Sequence, residues 1–202
     1  MATRLKWCVA LILAILCLWG CQPQSTPSTT SPTVSVASTS DPELLIQVGA
    51  EKRVWTRSEL LAHAALRELT LEDHSAYEDQ TKTYKVIPLA TLFEGLKVPK
   101  GHTIEYQTTD GFSSSISPAR LLARSSEGSV ADLAVEDPNQ PWSTFENRTY
   151  GAGPFYVVWE RPEADDIGRE EWPFKLTGFQ ARLDVDQRYP KLPPSDSLSS
   201  DD

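Results

Sequence analysis

Two short stretches place glycine where bare backbone amides can meet an anion. The first is Thr108-Thr109-Asp110-Gly111-Phe112. Asp110-Gly111 is a hairpin-turn dipeptide, because glycine accepts positive φ without steric cost. The second is Tyr150-Gly151-Ala152-Gly153-Pro154. It precedes an apolar run rather than linking a strand to a helix, so it is not a dinucleotide-binding fingerprint. Arg120 and Arg148 supply positive charge for an anionic group. The candidate ligand-binding set is therefore Thr108, Asp110, Gly111, Arg120, Arg148, Gly151 and Gly153. The alternative is that both stretches are structural turns, their glycines permitting close backbone approach.

Other residue types narrow the chemistry. All three cysteines (Cys8, Cys17 and Cys21) lie at the N-terminus, so the rest of the chain supplies neither a disulfide nor a thiolate ligand. His63, His74 and His102 follow no metal-binding spacing and are expected at surface or capping positions. The carboxylates of Glu160, Glu163, Asp165, Asp166, Glu170 and Glu171 lack the spacing of a calcium loop and read as a solvated segment. Ser113–Ser115 come without a nucleophile elbow, which leaves strand-face hydroxyls as the simple account. Trp142 and Trp172 each neighbour a proline. Exposed, such a residue anchors a partner; the alternative is packing of a loop onto the domain.

The elements that must position these groups follow from period and punctuation. Leu44, Ile46 and Val48 alternate as a strand, Gly49-Ala50 turns, and Lys52–Trp55 returns. Thr56-Arg57-Ser58-Glu59 is a capping box, and Leu60, Leu61, Ala64, Ala65 and Leu69 form the apolar stripe of a helix. Glu72–Gln80 reads as an acidic surface loop. Thr83–Ile87 is β-rich and meets Pro88, whose fixed φ suits a first helical position, with Gly95 as the stop. Ile104 and Tyr106 share one face of a strand, Ser117-Pro118 starts a short helix, and Ser129–Val135 is a further strand before the turn Asp137-Pro138-Asn139. Phe155–Trp159 is fully apolar and reads as a buried central strand, and Phe179, Ala181, Leu183 and Val185 alternate in a last one.

The first 20 residues read as a secretory signal: Arg4 and Lys6, then the apolar run Cys8–Leu18, too short for a comfortable span. Leu18-Trp19-Gly20-Cys21 resembles a bacterial lipobox, which makes Cys21 the lipidation site. An ordinary signal peptide or an uncleaved anchor is the alternative. Gln22 is not the aspartate that retains lipoproteins at the inner membrane, so a two-membrane cell would hold this chain on its outer membrane, facing the periplasm. Residues 21–41 form a Ser/Thr/Pro tether that cannot bury enough apolar surface to order itself. The domain occupies 42–188, and 189–202 is an acidic tail expected to be disordered. A net charge of −9 over 202 residues leaves no basic footprint for nucleic acid.

Tyr84, Ile87, Pro88, Leu89, Leu92, Phe93, Thr108, Asp110, Gly111, Phe112, Ile116 and Pro118, with Gly151–Phe155, carry a resemblance to the molybdopterin-binding domain of sulfite-oxidase-type oxidoreductases. It covers roughly Leu44 to Val185. The fold it implies is α+β, a mixed, mostly antiparallel sheet with short helices. Active members of that family hold molybdenum through a cysteine of this domain, and here there is none. The expectation is a membrane-tethered, non-catalytic domain without cofactor, a binding or accessory subunit to an envelope redox partner. Two alternatives stand beside it: an oxidoreductase binding molybdopterin without a cysteine ligand, and a lipoprotein that binds a small anion.

Overall fold

The computed structural model describes residues 40–190. The signal, the lipobox, nearly all of the tether and most of the tail lie outside them.

β1 (Glu43–Val48) and β2 (Glu51–Thr56) form the expected hairpin, turned at Gly49 with φ +60°. Leu44, Ile46 and Val48 point into the core. The capping box forms as read: Glu59 N donates to Thr56 Oγ1 at 3.2 Å, and Thr56 N donates to Glu59 Oε2 at 2.8 Å. The helix it starts, α1, is only Arg57–Leu61. Leu69, expected on its apolar stripe, instead lies on β3 (Arg67–His74). There Leu69 and Leu71 alternate with Glu68, Thr70 and Glu72, and that period of two wins over helical spacing.

β3 pairs with β4 (Tyr77–Pro88), so the expected acidic loop at 72–80 is the distal part of a hairpin. Acidic residues are tolerated on these strands because the outward face meets solvent, as the exposed Thr70–Thr83 hydroxyl pair at 2.8 Å shows. Pro88 ends β4 opposite Asp132 and precedes α2 (Leu89–Leu92) as its N-cap, one position earlier than expected. Gly95 takes φ +82° just beyond the helix.

β5 (His102–Thr108) turns through Asp110-Gly111 into β6 (Ser115–Ile116), with Gly111 at φ +81°. Ser117 then caps α3 (Pro118–Leu121) through its side chain, with Pro118 in the first turn. β7 (Val130–Val135) and β8 (Phe155–Glu160) pair antiparallel. β9 (Leu176–Leu183) ends before Val185, which opens α4 (Val185–Arg188) and is exposed rather than in the last strand.

The strands form two sheets, ordered β2-β1-β9-β5-β6 and β3-β4-β7-β8. Only β1–β9 is parallel among the pairings. The class is α+β and mostly antiparallel, with few short helices, but two sheets rather than one surround a shared core. β8 is fully buried from Phe155 to Trp159, as its run of apolar residues requires, yet it stands at an edge of its sheet. Its outer side is covered by residues 172–176: Val157 N donates to Pro173 O at 3.0 Å, and Tyr156 bridges Phe174. A covered edge is as dry as an interior strand, so burial alone did not reveal its place.

Candidate functional site

The two glycine stretches do come together, and Lys175 joins them. Its backbone N–H donates to Ala152 O at 2.9 Å, and its carbonyl accepts from Thr109 N at 3.0 Å. Its ammonium lies 3.2 Å from the centre of the Tyr150 ring and 3.9 Å from Asp110 Oδ2. A left-handed backbone at Lys175, φ +54°, makes this bridging geometry reachable. Nothing in the run Phe174-Lys175-Leu176 announces it in sequence.

The turn itself is locked from within. Thr108 Oγ1 lies 2.7 Å from Asp110 Oδ1 and 2.9 Å from Phe112 O, and Phe112 N donates to Asp110 Oδ1 at 3.3 Å. The Thr108 hydroxyl, and after it the Phe112 N–H and the Lys175 ammonium, hold the Asp110 carboxyl below the usual carboxylate range. Thr108 and Asp110 therefore stabilise the turn that Gly111 closes.

The glycine stretch is equally engaged. A side chain at Gly151 would meet Ser143 O at 2.5 Å and Tyr77 Oη at 3.0 Å. Tyr77 Oη donates to Ser143 O at 2.8 Å and accepts from Ala152 N at 3.2 Å, tying this stretch to β4. Gly153 faces the carboxylate of Glu136, whose Oε1 accepts from Trp142 N at 2.9 Å. Both glycines serve close approach of the chain to itself.

Arg120 and Arg148 do not join this cluster. Arg120 sits on α3 with its guanidinium against Glu171 (2.8 and 2.9 Å) and the carbonyls of Asp165 and Asp166 (2.7 and 2.9 Å). It clamps the carboxylate-rich segment 160–172, which folds into two 3₁₀ turns, Pro162–Asp165 and Arg169–Glu171. Ser114 Oγ and Trp159 Nε1 add bonds to Glu170 O and Glu171 O at 3.1 and 2.8 Å. Arg148 is exposed in the loop between β7 and β8, where its backbone N–H donates to Phe145 O at 3.1 Å.

His74, expected at the surface, is buried at the end of β3. Its Nε2 lies 2.6 Å from Tyr84 Oη, and the rings of Tyr77, Tyr84, Tyr156 and Trp172 surround it with centroids 5.3–6.2 Å away. Burial pushes the hydroxyls of Tyr77, Tyr84 and Tyr156 upward, so these three phenols stay protonated at any ordinary pH. His63 stacks edge-on against Trp55 at 5.5 Å, and its Nδ1 accepts from Ala65 N at 3.1 Å. Among the described residues, no group of three or more His, Cys, Asp or Glu side chains is arranged to hold a metal ion.

Beside the box runs a groove that the sequence signalled only through Trp172. One cavity of about 600 Å³ opens between the β3–β4 hairpin and residues 162–172, and another of about 470 Å³ continues past Trp172 to Phe112 and Phe174. Ser75, Arg169 and Trp172 line both. Such volumes suit a ligand or a few residues of a peptide. Trp142, by contrast, packs inward, edge-on to Tyr84 at 5.1 Å.

The residues present do not fit a molybdenum cofactor. No thiolate is available from residue 22 onward. A phosphate at Gly153 would approach the Glu136 carboxylate, and Arg120 is already matched by Glu171. No family model matches the chain, and no curated protein matches it.

Proposed function

We propose that the chain is a lipid-tethered, non-catalytic domain of the cell envelope that binds a partner as an accessory subunit. It keeps the arrangement of a sulfite-oxidase-type molybdopterin domain without its chemistry. One observation carries this reading: Arg120, Lys175 at the Asp110 turn and Gly153 each already face a carboxylate of their own chain. Glu171 lies on Arg120, Asp110 beside Lys175, and Glu136 at Gly153. An entering phosphate or sulfite would displace these carboxylates or meet their repulsion, which at short range outweighs the attraction of one half-neutralised cation. The lipobox-like Leu18-Trp19-Gly20-Cys21 and the Ser/Thr/Pro tether after it support the membrane-surface part of the reading.

A thermal-shift series with sulfite, molybdate and inorganic phosphate tests the reading. A ligand that binds only the native state raises the melting temperature by mass action. No shift is expected at millimolar anion, whereas saturable stabilisation by any of the three contradicts the reading and favours the anion-binding alternative.

A further inference from the structure

Tyr84 is 1% exposed, and its hydroxyl lies 2.6 Å from His74 Nε2. No other described residue bonds that hydroxyl, so its one proton is directed at the imidazole nitrogen. The other buried tyrosines lack this arrangement. Tyr77 donates to a carbonyl, Ser143 O, at 2.8 Å; Tyr156 accepts from Ala76 N at 3.3 Å; and the Tyr106 hydroxyl has no hydrogen-bond partner. The difference is chemical. A phenol that loses one electron becomes a strong acid, and in a dry interior it keeps the hole only if a base takes its proton at once. A carbonyl cannot hold a proton at ordinary pH, whereas an imidazole can.

Rings connect Tyr84 to the surface on two sides. Trp142, half-buried, meets it edge-on with centroids 5.1 Å apart. Opposite, Tyr156 lies 5.9 Å from Tyr84 and 6.3 Å from Trp172, and Trp172 lies 6.0 Å from His74. Trp172 in turn lines both cavities of the groove. Oxidisable rings therefore follow one another from the groove to a phenol that alone among them faces a base.

We propose that Tyr84 and His74 form a one-electron redox site, reached through Trp172 by a metal-centred oxidant that accepts one electron at the groove. The metal is reduced by one electron, drawn through Trp172 from Tyr84. The Tyr84 O–H bond breaks, its proton passes to His74 Nε2, and a neutral tyrosyl radical stands beside an imidazolium. A returning electron reverses both transfers. The imidazolium forms among the rings of Tyr77, Tyr156 and Trp172, whose centroids are 5.9–6.2 Å away and whose π electrons favour a cation. This activity goes beyond the accessory-subunit reading and does not depend on it.

The test is flash photolysis of the full chain with a ruthenium(II) tris-bipyridyl complex and a cobalt(III) quencher, which generates a cationic ruthenium(III) oxidant. Glu72, Glu78 and Glu163 line the groove and favour the approach of a cation. Transient absorption and electron paramagnetic resonance read the tyrosyl radical, which outlives any radical on the exposed Tyr150 and Tyr189. Tyr84→Phe removes the long-lived signal. Tyr106→Phe, which alters a tyrosine of equal burial without a base, leaves it intact. His74→Gln keeps a polar partner but no base and cuts the yield at least about tenfold. Radical formation also slows in heavy water, because a proton moves with the electron. Far-UV circular dichroism and melting curves confirm that each variant folds. If His74→Gln unfolds, the two tyrosine variants and the solvent isotope effect decide. The proposal is overturned if folded wild-type protein gives no long-lived radical, if that radical survives in Tyr84→Phe, or if it is lost in Tyr106→Phe. A folded His74→Gln with undiminished yield overturns it too, as does a hole that stops as an indolyl radical on Trp172. Stabilisation by molybdate or phosphate in the thermal-shift series would remove the accessory reading and leave the radical result to stand separately.

Discussion

Asp132→Asn should reduce a fall in stability that the wild-type protein shows as the pH rises towards neutrality. Asp132 sits on β7 with no exposed surface. Its Oδ2 accepts from Arg67 Nη2 at 2.7 Å, while its Oδ1 has no partner. The same guanidinium also serves Glu160, which pairs in turn with Arg161 at 3.1 Å. One cation shared by two carboxylates does not offset burial, and the Asp132 carboxyl is pushed up from 3.8 to about 7. The raised value fixes the sign. Between those two values the native state holds a proton that the unfolded chain has lost. Stability is therefore full below about pH 4 and declines up to about pH 7, by at most about 1.4 kcal/mol per pH unit. Asp41 and Asp110 have lowered values and act with the opposite sign, at lower pH. Asparagine keeps the shape and never ionises. Urea unfolding from about pH 4.5 to about pH 8 should show the wild type losing stability across this window, and the variant losing clearly less. Parallel curves for the two proteins would refute the reasoning.

The other expectations concern the turn, the clamp and the anchor. Gly111→Val should destabilise by about 1–3 kcal/mol in thermal melts, chiefly from backbone strain: φ is +81° and nothing stands within 4 Å of a Cβ at this position. An unchanged midpoint would show that the turn tolerates a branched residue. Arg120→Ala removes the cation from Glu171 and the donor from two carbonyls, so segment 160–172 should be cut faster in limited proteolysis and stability should fall by about 1–3 kcal/mol. An unaltered cleavage pattern would show that the clamp is dispensable. Cys21→Ser should move the protein from the membrane to the soluble fraction, since acyl chains supply about 0.8 kcal/mol per buried CH₂. Retention with an intact leader would indicate an uncleaved anchor.

Local signals were readable wherever a rule acts within a few residues. The capping box at Thr56 and Glu59, the positive φ of Gly95 and Gly111, and the Ser117-Pro118 helix start are all of that kind. Competing periods misled at Leu69, where the apolar stripe of a helix and the alternation of a strand share residues. Edge and centre were indistinguishable at β8, because its covering strip comes from residues 172–176, beyond a long loop. In the candidate site, the meeting of the two glycine stretches depended on Lys175, whose role comes from its left-handed backbone and its neighbour ring rather than from any motif. Arg120 was read as a free cation because its partner Glu171 lies 51 residues away. The burial of His74 went unseen because the rings around it come from β4, β8 and Trp172.

The proposed arrangement is that of a molybdopterin-type domain without the cofactor. It is tested most directly by metal and pterin content, measured by mass spectrometry on protein purified from a host that makes the cofactor. The account predicts molybdenum and pterin far below one per chain. Stoichiometric amounts of both would contradict it, because a cofactor would then be held without any thiolate and against Glu136 and Glu171.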